Sequence, residues 1–159
     1  MYQNALLTTD GSDTARAAFM HVAQVVEAGG TVTVVEVIDE IGRVLARTTP
    51  AGFDLSGMST LDADIAEQIV AAQREEAEKH LAEARATLTA AGLKNVQTVV
   101  LEGLPGDCIV DEAQTRKCDV VIMSTHGRSG LRRTVLGSVA DHVIRNLDGV
   151  PVLLVHPAG

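Results

Sequence analysis

Apolar residues gather in five short runs along the chain, and segments of mixed polarity separate each run from the next. Most of the runs are rich in β-branched residues and continuously apolar, which is typical of strands buried on both faces of a parallel sheet. Five strands are therefore predicted, at residues 3–9, 31–39, 95–102, 119–124 and 151–156.

The segment after the first strand predicts a helix. Ser12 is a natural N-cap, and apolar residues recur after it at helical spacing. Gly29 and Gly30 are expected to end the helix, because glycine commonly follows a helical C-terminus. The positions that form the apolar face are Ala15, Ala18, Phe19, Val22 and Val26.

A much longer helix is predicted from Thr60 to Ala91, with Gly92 after it, and two shorter helices begin at Pro105 and Ser138. Residues 40–59 show no clear period, so an irregular loop or flap is expected there, or a stretch that hides a short helix. The apolar face of the long helix consists of Ile65, Ile69, Ala72, Leu81, Ala84 and Leu88.

The resulting order, β-α-β-α-β-α-β-α-β, predicts the fold class. Such alternation indicates an α/β fold with an open five-stranded parallel sheet and helices on both of its faces. With 159 residues, of which 46% are hydrophobic, the chain is expected to form one domain over 1–159.

Composition and charge exclude several classes of partner. The formal net charge is −8 and aromatic residues make up 2% of the chain, which disfavours binding to nucleic acid. No apolar stretch is long enough to span a membrane, and the N-terminus does not resemble a signal peptide, so a cytoplasmic protein is predicted. Cys108 and Cys118 lack metal-ligand spacing and are expected to be buried thiols.

A phosphate-binding loop is the main chemical hypothesis. Ligands of doubly wound sheets bind beyond the carboxyl ends of the strands where the strand order reverses, which places Asp10 and the segment from Ser124 to Ser138 at the site. That segment contains three glycines and three arginines and no acidic residue. Glycines and a helix start present backbone N–H groups to an anion. Alternatively, the glycines only turn the chain and the arginines are solvated.

Three segments resemble the motifs of one protein family. ALLTTDGSDTARAAF is similar to the first strand and turn of universal stress proteins, and STHGRSGLRRTVLGSVADHVIRN followed by PVLLVH resembles their closing signature. The ATP-binding branch has a Gly, two residues, Gly, nine residues, Gly-Ser/Thr pattern. Gly127 and Gly137-Ser138 fit it, whereas Ser124 replaces the first glycine. Walker A and GxGxxG motifs are absent from the loop.

The resemblance implies a Rossmann-like fold, similar to adenine nucleotide α-hydrolases, with strand order 3-2-1-4-5. It implies binding of ATP, or of ADP or AMP, with Mg²⁺ or Mn²⁺ carried by the phosphates, and a homodimer formed through the last strand, residues 151–156. By this resemblance the adenosine end is lined by Thr8, Thr9, Asp10 and Val37, the ribose and first phosphates by Met123, Ser124, His126 and Gly127, and the outer phosphates by Gly137, Ser138 and Val139.

These observations favour a nucleotide-binding regulatory protein of the stress response that acts on an unidentified protein partner. No nucleophile, base and orienting group can be assembled from the sequence, so any ATP hydrolysis or autophosphorylation should be slow. An interaction module without nucleotide and a slow ATP-using enzyme stay open as alternatives. Asp10 can bind ligand or cap a turn, and His126 can bind ligand or turn the chain. The remaining histidines, assigned surface or packing roles, are His21, His80, His142 and His156.

Overall fold

A computed structural model describes residues 1–48, 60–125 and 136–156. Five parallel strands form one sheet in the order β3-β2-β1-β4-β5, which confirms the predicted fold class and strand order. The strands are β1 (Tyr2–Thr8), β2 (Val26–Ile38), β3 (Asn95–Glu102), β4 (Val120–Ser124) and β5 (Val152–Val155).

The described helices are α1 (Asp13–Val25), α2 (Ile41–Thr48), α3 (Thr60–Ala90), α4 (Pro105–Thr115) and α5 (Ser138–Asn146). They pack on both faces of the sheet. One face carries α1 and α3 over a core that includes Leu7, Val34 and Leu88, and the other carries α4 and α5 over a core that includes Leu6 and Val121. No helix within the described ranges is both long enough and apolar enough to span a membrane.

The first helix begins as predicted but ends early. The Ser12 hydroxyl accepts a hydrogen bond of 3.1 Å from the Ala15 amide, which confirms Ser12 as the N-cap. The expectation that Gly29 and Gly30 end α1 is wrong, because α1 ends at Val25 and both glycines lie inside β2. Val26 instead pairs with Tyr2 of β1, so sheet formation overrides the local helical pattern.

Residues 41–48 form α2, which corrects the expectation of an irregular loop over 40–59 and agrees with the alternative of a hidden short helix. Val44 is buried against Ala66 and Val70 of α3. Arg47 Nη1 lies 2.9 Å from an Asp39 carboxylate oxygen, which ties the helix to the end of β2. The periodic signal of so short a helix is weak, and tertiary contacts supply much of its stability. Residues 49–59 lie outside the described ranges.

The buried face of α3 differs from the predicted one in its first half. Ile65 is 46% exposed and Ala72 is also exposed, whereas Ala66, Val70 and Ala77 are buried. This half of α3 packs against α2 and Ile38, which sequence periodicity alone does not reveal. In the second half, the predicted residues Leu81, Ala84 and Leu88 are buried as expected.

Candidate functional site

A cleft of about 300 Å³ lies beyond the carboxyl ends of β1, β2 and β4. The chain runs from β1 through β2 to β3 on one side of the sheet and continues with β4 and β5 on the other, so β1 and β4 flank the point where the strand order reverses. Ligands of open α/β sheets bind at this point. The volume lies at the lower end of the range for small-molecule sites.

Nine of the eleven residues predicted for the site line this single cleft. They come from four separate segments of the chain, and the order of the strands brings the segments together. His126 and Gly127, also predicted for the site, lie outside the described residues. The nine lining residues are Thr8, Thr9, Asp10, Val37, Met123, Ser124, Gly137, Ser138 and Val139.

One wall of the cleft is the turn between β1 and α1, whose side chains are held by local hydrogen bonds. The Gly11 amide donates to the Thr9 hydroxyl at 3.2 Å, and the Ser12 amide donates to an Asp10 carboxylate oxygen at 3.0 Å. The Thr9 amide donates to the Val35 carbonyl at 2.9 Å, which anchors the turn to β2. Asp10 therefore caps the turn and lines the cleft at once, so the two roles considered for it are compatible.

The opposite wall contains the first turn of α5. Gly137 is the N-cap and offers no side-chain hydrogen bond to the amides behind it. The first helical hydrogen bond, of 2.9 Å, runs from the Asp141 amide to the Gly137 carbonyl. The amides of Ser138 and Val139 thus have no acceptor within the helix, and the partial positive charge of the helix start adds to their affinity for an anion.

Ser124, which replaces the first glycine of the family pattern, is the last residue of β4 and pairs in register with Val155. Among the described non-glycine residues, positive φ occurs at Lys117 and not at Ser124. The position therefore does not require the conformational freedom of glycine, and serine occupies it without backbone strain.

Six further residues that sequence reasoning did not assign to the site also line the cleft. The positions of two of them in the sequence could have indicated the site. Pro105 follows β3 at the start of α4, where carboxyl-end residues are expected, and Thr125 directly follows Ser124. The others are buried core residues whose contact with the cleft depends on packing. The six are Ala15, Val35, Pro105, Ile109, Thr125 and Ala140.

Neither cysteine is among the residues that line the cleft. Cys118 is buried, and the loss of hydration raises the pKa of its thiol to about 11. Burial, followed by the nearby carboxylates of Asp111 and Asp107, also raises the pKa of the half-buried Cys108. Within the described part of the chain, no three His, Cys, Asp or Glu side chains are arranged to hold a metal ion.

Comparison with known proteins connects this fold and cleft to one family. The universal stress protein MJ0531 of Methanocaldococcus jannaschii is 31% identical over 156 residues, which span 98% of this chain and 82% of that protein. MJ0577 of the same organism is 30% identical over 156 residues, which span 98% of this chain and 95% of that protein.

Solved structures show the same fold. The structure of MJ0577 has a TM-score of 0.79 at 28% identity and covers 100% of this chain and 99% of its own. The universal stress protein from Archaeoglobus fulgidus, solved in complex with dAMP, has a TM-score of 0.59 at 23% identity over 96% of this chain and 97% of its own. The family model described as the universal stress protein family matches residues 1–156, and this chain therefore belongs to that family.

Proposed function

We propose that this protein binds ATP, or a closely related adenine nucleotide, in the cleft between β1 and β4 and acts as a regulatory protein of the stress response. One observation carries the proposal: residues from four separate segments, each matched to the nucleotide pattern of the family, line the same cleft. The fold accommodates a ligand of this class, since the universal stress protein from Archaeoglobus fulgidus was solved with dAMP.

The two walls of the cleft suit the two ends of a nucleotide. Val37 and Ile109 offer apolar surface for a base, and Asp10 offers a carboxylate that accepts hydrogen bonds from a ribose or base. The amides of Ser138 and Val139 at the start of α5 offer N–H donors to the phosphates. A Mg²⁺ or Mn²⁺ ion would be held mainly by the phosphate oxygens, with few protein ligands.

The absence of the first motif glycine does not argue against this function. Ser124 is extended and its φ is not positive, so the backbone there has no need of glycine. Its side chain adds only a hydroxymethyl group to the wall of the cleft. The serine at position 124 therefore does not favour the alternative of an interaction module without nucleotide.

A slow phosphoryl transfer is a second candidate, because the structure brings a hydroxyl and an imidazole together at the cleft. The Thr125 hydroxyl, on a residue that lines the cleft, lies 2.9 Å from Nδ1 of His156. In such a reaction the Thr125 oxygen would attack the γ-phosphorus of ATP, its proton would pass to His156, and ADP would leave. Transfer of labelled γ-phosphate to the protein, abolished in Thr125→Val, would establish this activity, and its absence would exclude it.

The proposal includes a homodimer formed through β5. This strand is at the edge of the sheet, and Val152, Leu153 and Leu154 are only partly buried. An apolar edge strand favours pairing with a second chain, and a two-fold axis would pair the two β5 strands in antiparallel fashion. Bound nucleotide would then change the conformation of part of the dimer surface, and a protein partner would recognise one of the two conformations.

Calorimetric titration of the purified protein with ATP, with and without Mg²⁺, tests the proposed function. We expect saturable binding with a Kd well below 1 mM, tighter in the presence of Mg²⁺. AMP and GTP serve as comparison ligands, because they separate recognition of the phosphates from recognition of the base. Binding of ATP weaker than about 1 mM would reject the nucleotide function and favour the interaction module.

A further inference from the structure

A carboxylate is buried in the sheet next to the cleft. Glu36 of β2 is 5% exposed and lies on the face of the sheet that also carries Val34, beneath α1 and α3. Burial of a charged group is costly unless the group is paired and hydrogen-bonded. His80 of α3 supplies the pairing: its Nδ1 lies 3.1 and 3.0 Å from the two carboxylate oxygens.

The same imidazole packs directly on the turn between β1 and α1. Gly11, at the centre of the turn, has φ of +74°, which favours glycine. A Cβ at this position would lie 2.2 Å from Cε1 of His80 and 2.4 Å from each ring nitrogen. The ring therefore occupies the space that a side chain at residue 11 would need, and it supports the backbone of the turn from below.

The contact between His80 and Gly11 affects the cleft through the backbone of the turn. The Gly11 amide bonds to Thr9, and the amide of the next residue, Ser12, bonds to Asp10. Both acceptors are lining residues of the cleft. A displacement of Gly11 would alter both hydrogen bonds and, with them, the directions in which the Thr9 and Asp10 side chains point.

Space for such a displacement exists beside the pair. A second cavity of about 220 Å³ adjoins the cleft and is lined by Asp10, Glu36 and Glu76, among others. Glu76 Oε1 is 3.9 Å from Nε2 of His80, which is too long for a hydrogen bond, so this carboxylate does not hold the ring as Glu36 does. Asp10 of the turn already borders this cavity, so the turn has space on that side into which it can move.

We infer that His80 is a positioning residue for the ligand site: held by Glu36, its ring sets the conformation of the turn that presents Thr9 and Asp10. The inference rests on the proposed function, since it assigns the turn a role in binding nucleotide. Glu36 and His80 are 44 residues apart in the sequence, so β2 and α3 are both required to build this support.

His80→Asn tests the inference, because asparagine keeps a donor near the position of Nδ1 but removes the ring from Gly11. His21→Asn, an exposed histidine on α1, is the matched control. In ¹⁵N-labelled protein without ligand, we expect the HN–Hα scalar couplings of Gly11 and Ser12, which report the backbone angle φ and not the ring current of the imidazole, to change in His80→Asn and to stay the same in the control. ATP affinity should fall about tenfold in His80→Asn while the melting temperature changes little.

The two readouts separate the possible outcomes. Unchanged Gly11 and Ser12 couplings in folded His80→Asn would overturn the inference, and so would an unchanged ATP affinity. Failure of the unmodified protein to bind ATP would overturn the proposed function, and the scalar couplings would still decide whether His80 sets the turn.

Gly11→Ala examines the same contact from its other side and does not depend on the folding of a His80 variant. The added Cβ would strike the ring, so the ring resonances of His80 should shift and ATP affinity should fall about tenfold. Ring resonances that stay at their original positions would overturn the inference.

Discussion

The backbone amide of Gly137 donates a hydrogen bond of 2.9 Å to the carbonyl oxygen of Thr125. This bond joins the residue after β4 to the residue before α5, so the two ends of the intervening chain segment lie side by side. Thr125 and Gly137 both line the cleft. The start of α5 is thereby held against the end of β4, as the proposed phosphate site between them requires.

Gly137→Val should abolish ATP binding without unfolding the protein. Gly137 has φ of −58° and ψ of 148°, which valine readily adopts, so the substitution changes the space in the cleft and not the backbone. We expect at least a tenfold loss of affinity by calorimetry and a melting temperature within about 3 °C of the original. Gly29→Val is the control, because a Cβ there meets nothing within 4 Å. Unchanged affinity in Gly137→Val would contradict the placement of the phosphates.

Ser124→Gly restores the family pattern and should improve binding little. Because Ser124 is extended, glycine offers no conformational gain and instead loosens the end of β4. We expect ATP affinity to change by less than about threefold and stability to fall by about 0.5–1 kcal/mol, measured by calorimetry and urea unfolding. A tenfold gain in affinity would show that the serine obstructs the ligand after all.

Leu154→Pro should dissociate the proposed dimer. The carbonyls of Pro151 and Val155 accept hydrogen bonds from the amides of Val121 and Thr125 on the β4 side. The two-residue alternation of the strand therefore directs the amide of Leu154 outward. Proline removes this outward donor. In sedimentation we expect the unmodified protein at twice the chain mass of 16.7 kDa and the variant at the chain mass.

Substitution of an exposed apolar residue on α5, Ile144→Asp, is the control for the dimer and should leave the mass unchanged. A Leu154→Pro variant that sediments as a dimer would place the interface elsewhere. An unmodified protein that sediments as a monomer would reject the dimer itself.

Thr33→Val should stabilise the protein. The Thr33 hydroxyl is buried in β2 and has no hydrogen-bond partner among the described residues. Replacement by an apolar group of the same shape removes the cost of an unsatisfied polar atom, about 1 kcal/mol or more, and should raise the melting temperature by about 2–4 °C. Thr31→Val, at a half-buried site of the same strand, should have a smaller effect. A lower melting temperature would mean that the hydroxyl is satisfied.

The Cys118 thiol should resist alkylation in the folded protein. Burial raises its pKa to about 11, so at pH 8 only about one thiol in a thousand is ionised, and the reactive thiolate forms only as the pH rises toward that value. In Cys108→Ser protein, we expect slow labelling by iodoacetamide at pH 8 and fast labelling after unfolding in urea. Equal rates in both states would contradict the burial of Cys118.

Much of the fold could be predicted from the sequence, because it depends on local patterns. The five apolar runs, the Ser12 cap and the order of the elements specify a parallel sheet, and chirality then restricts how the connections cross it. The location of the site follows from the same order, since parallel strands bring their carboxyl ends to one edge of the sheet, whereas most of its individual residues were implied by the resemblance to the family. Those inferences needed only periodicity, capping chemistry and the family motifs.

Tertiary structure decided what depends on contacts between distant segments. Val26 pairs with Tyr2, so α1 ends before the two glycines that were expected to end it. In the first half of α3, packing against Val44 buries a face other than the predicted one. In the sequence, nothing distinguishes His80 from the other helical histidines. In the fold, Glu36 of β2 lies beside its ring and Gly11 of the turn packs on it. Helix and strand propensities differ by only fractions of a kcal/mol per residue between such alternatives. Burial of apolar side chains and pairing of strands contribute more to the free energy of folding. The choice between the alternatives is therefore made by contacts that form only in the folded chain.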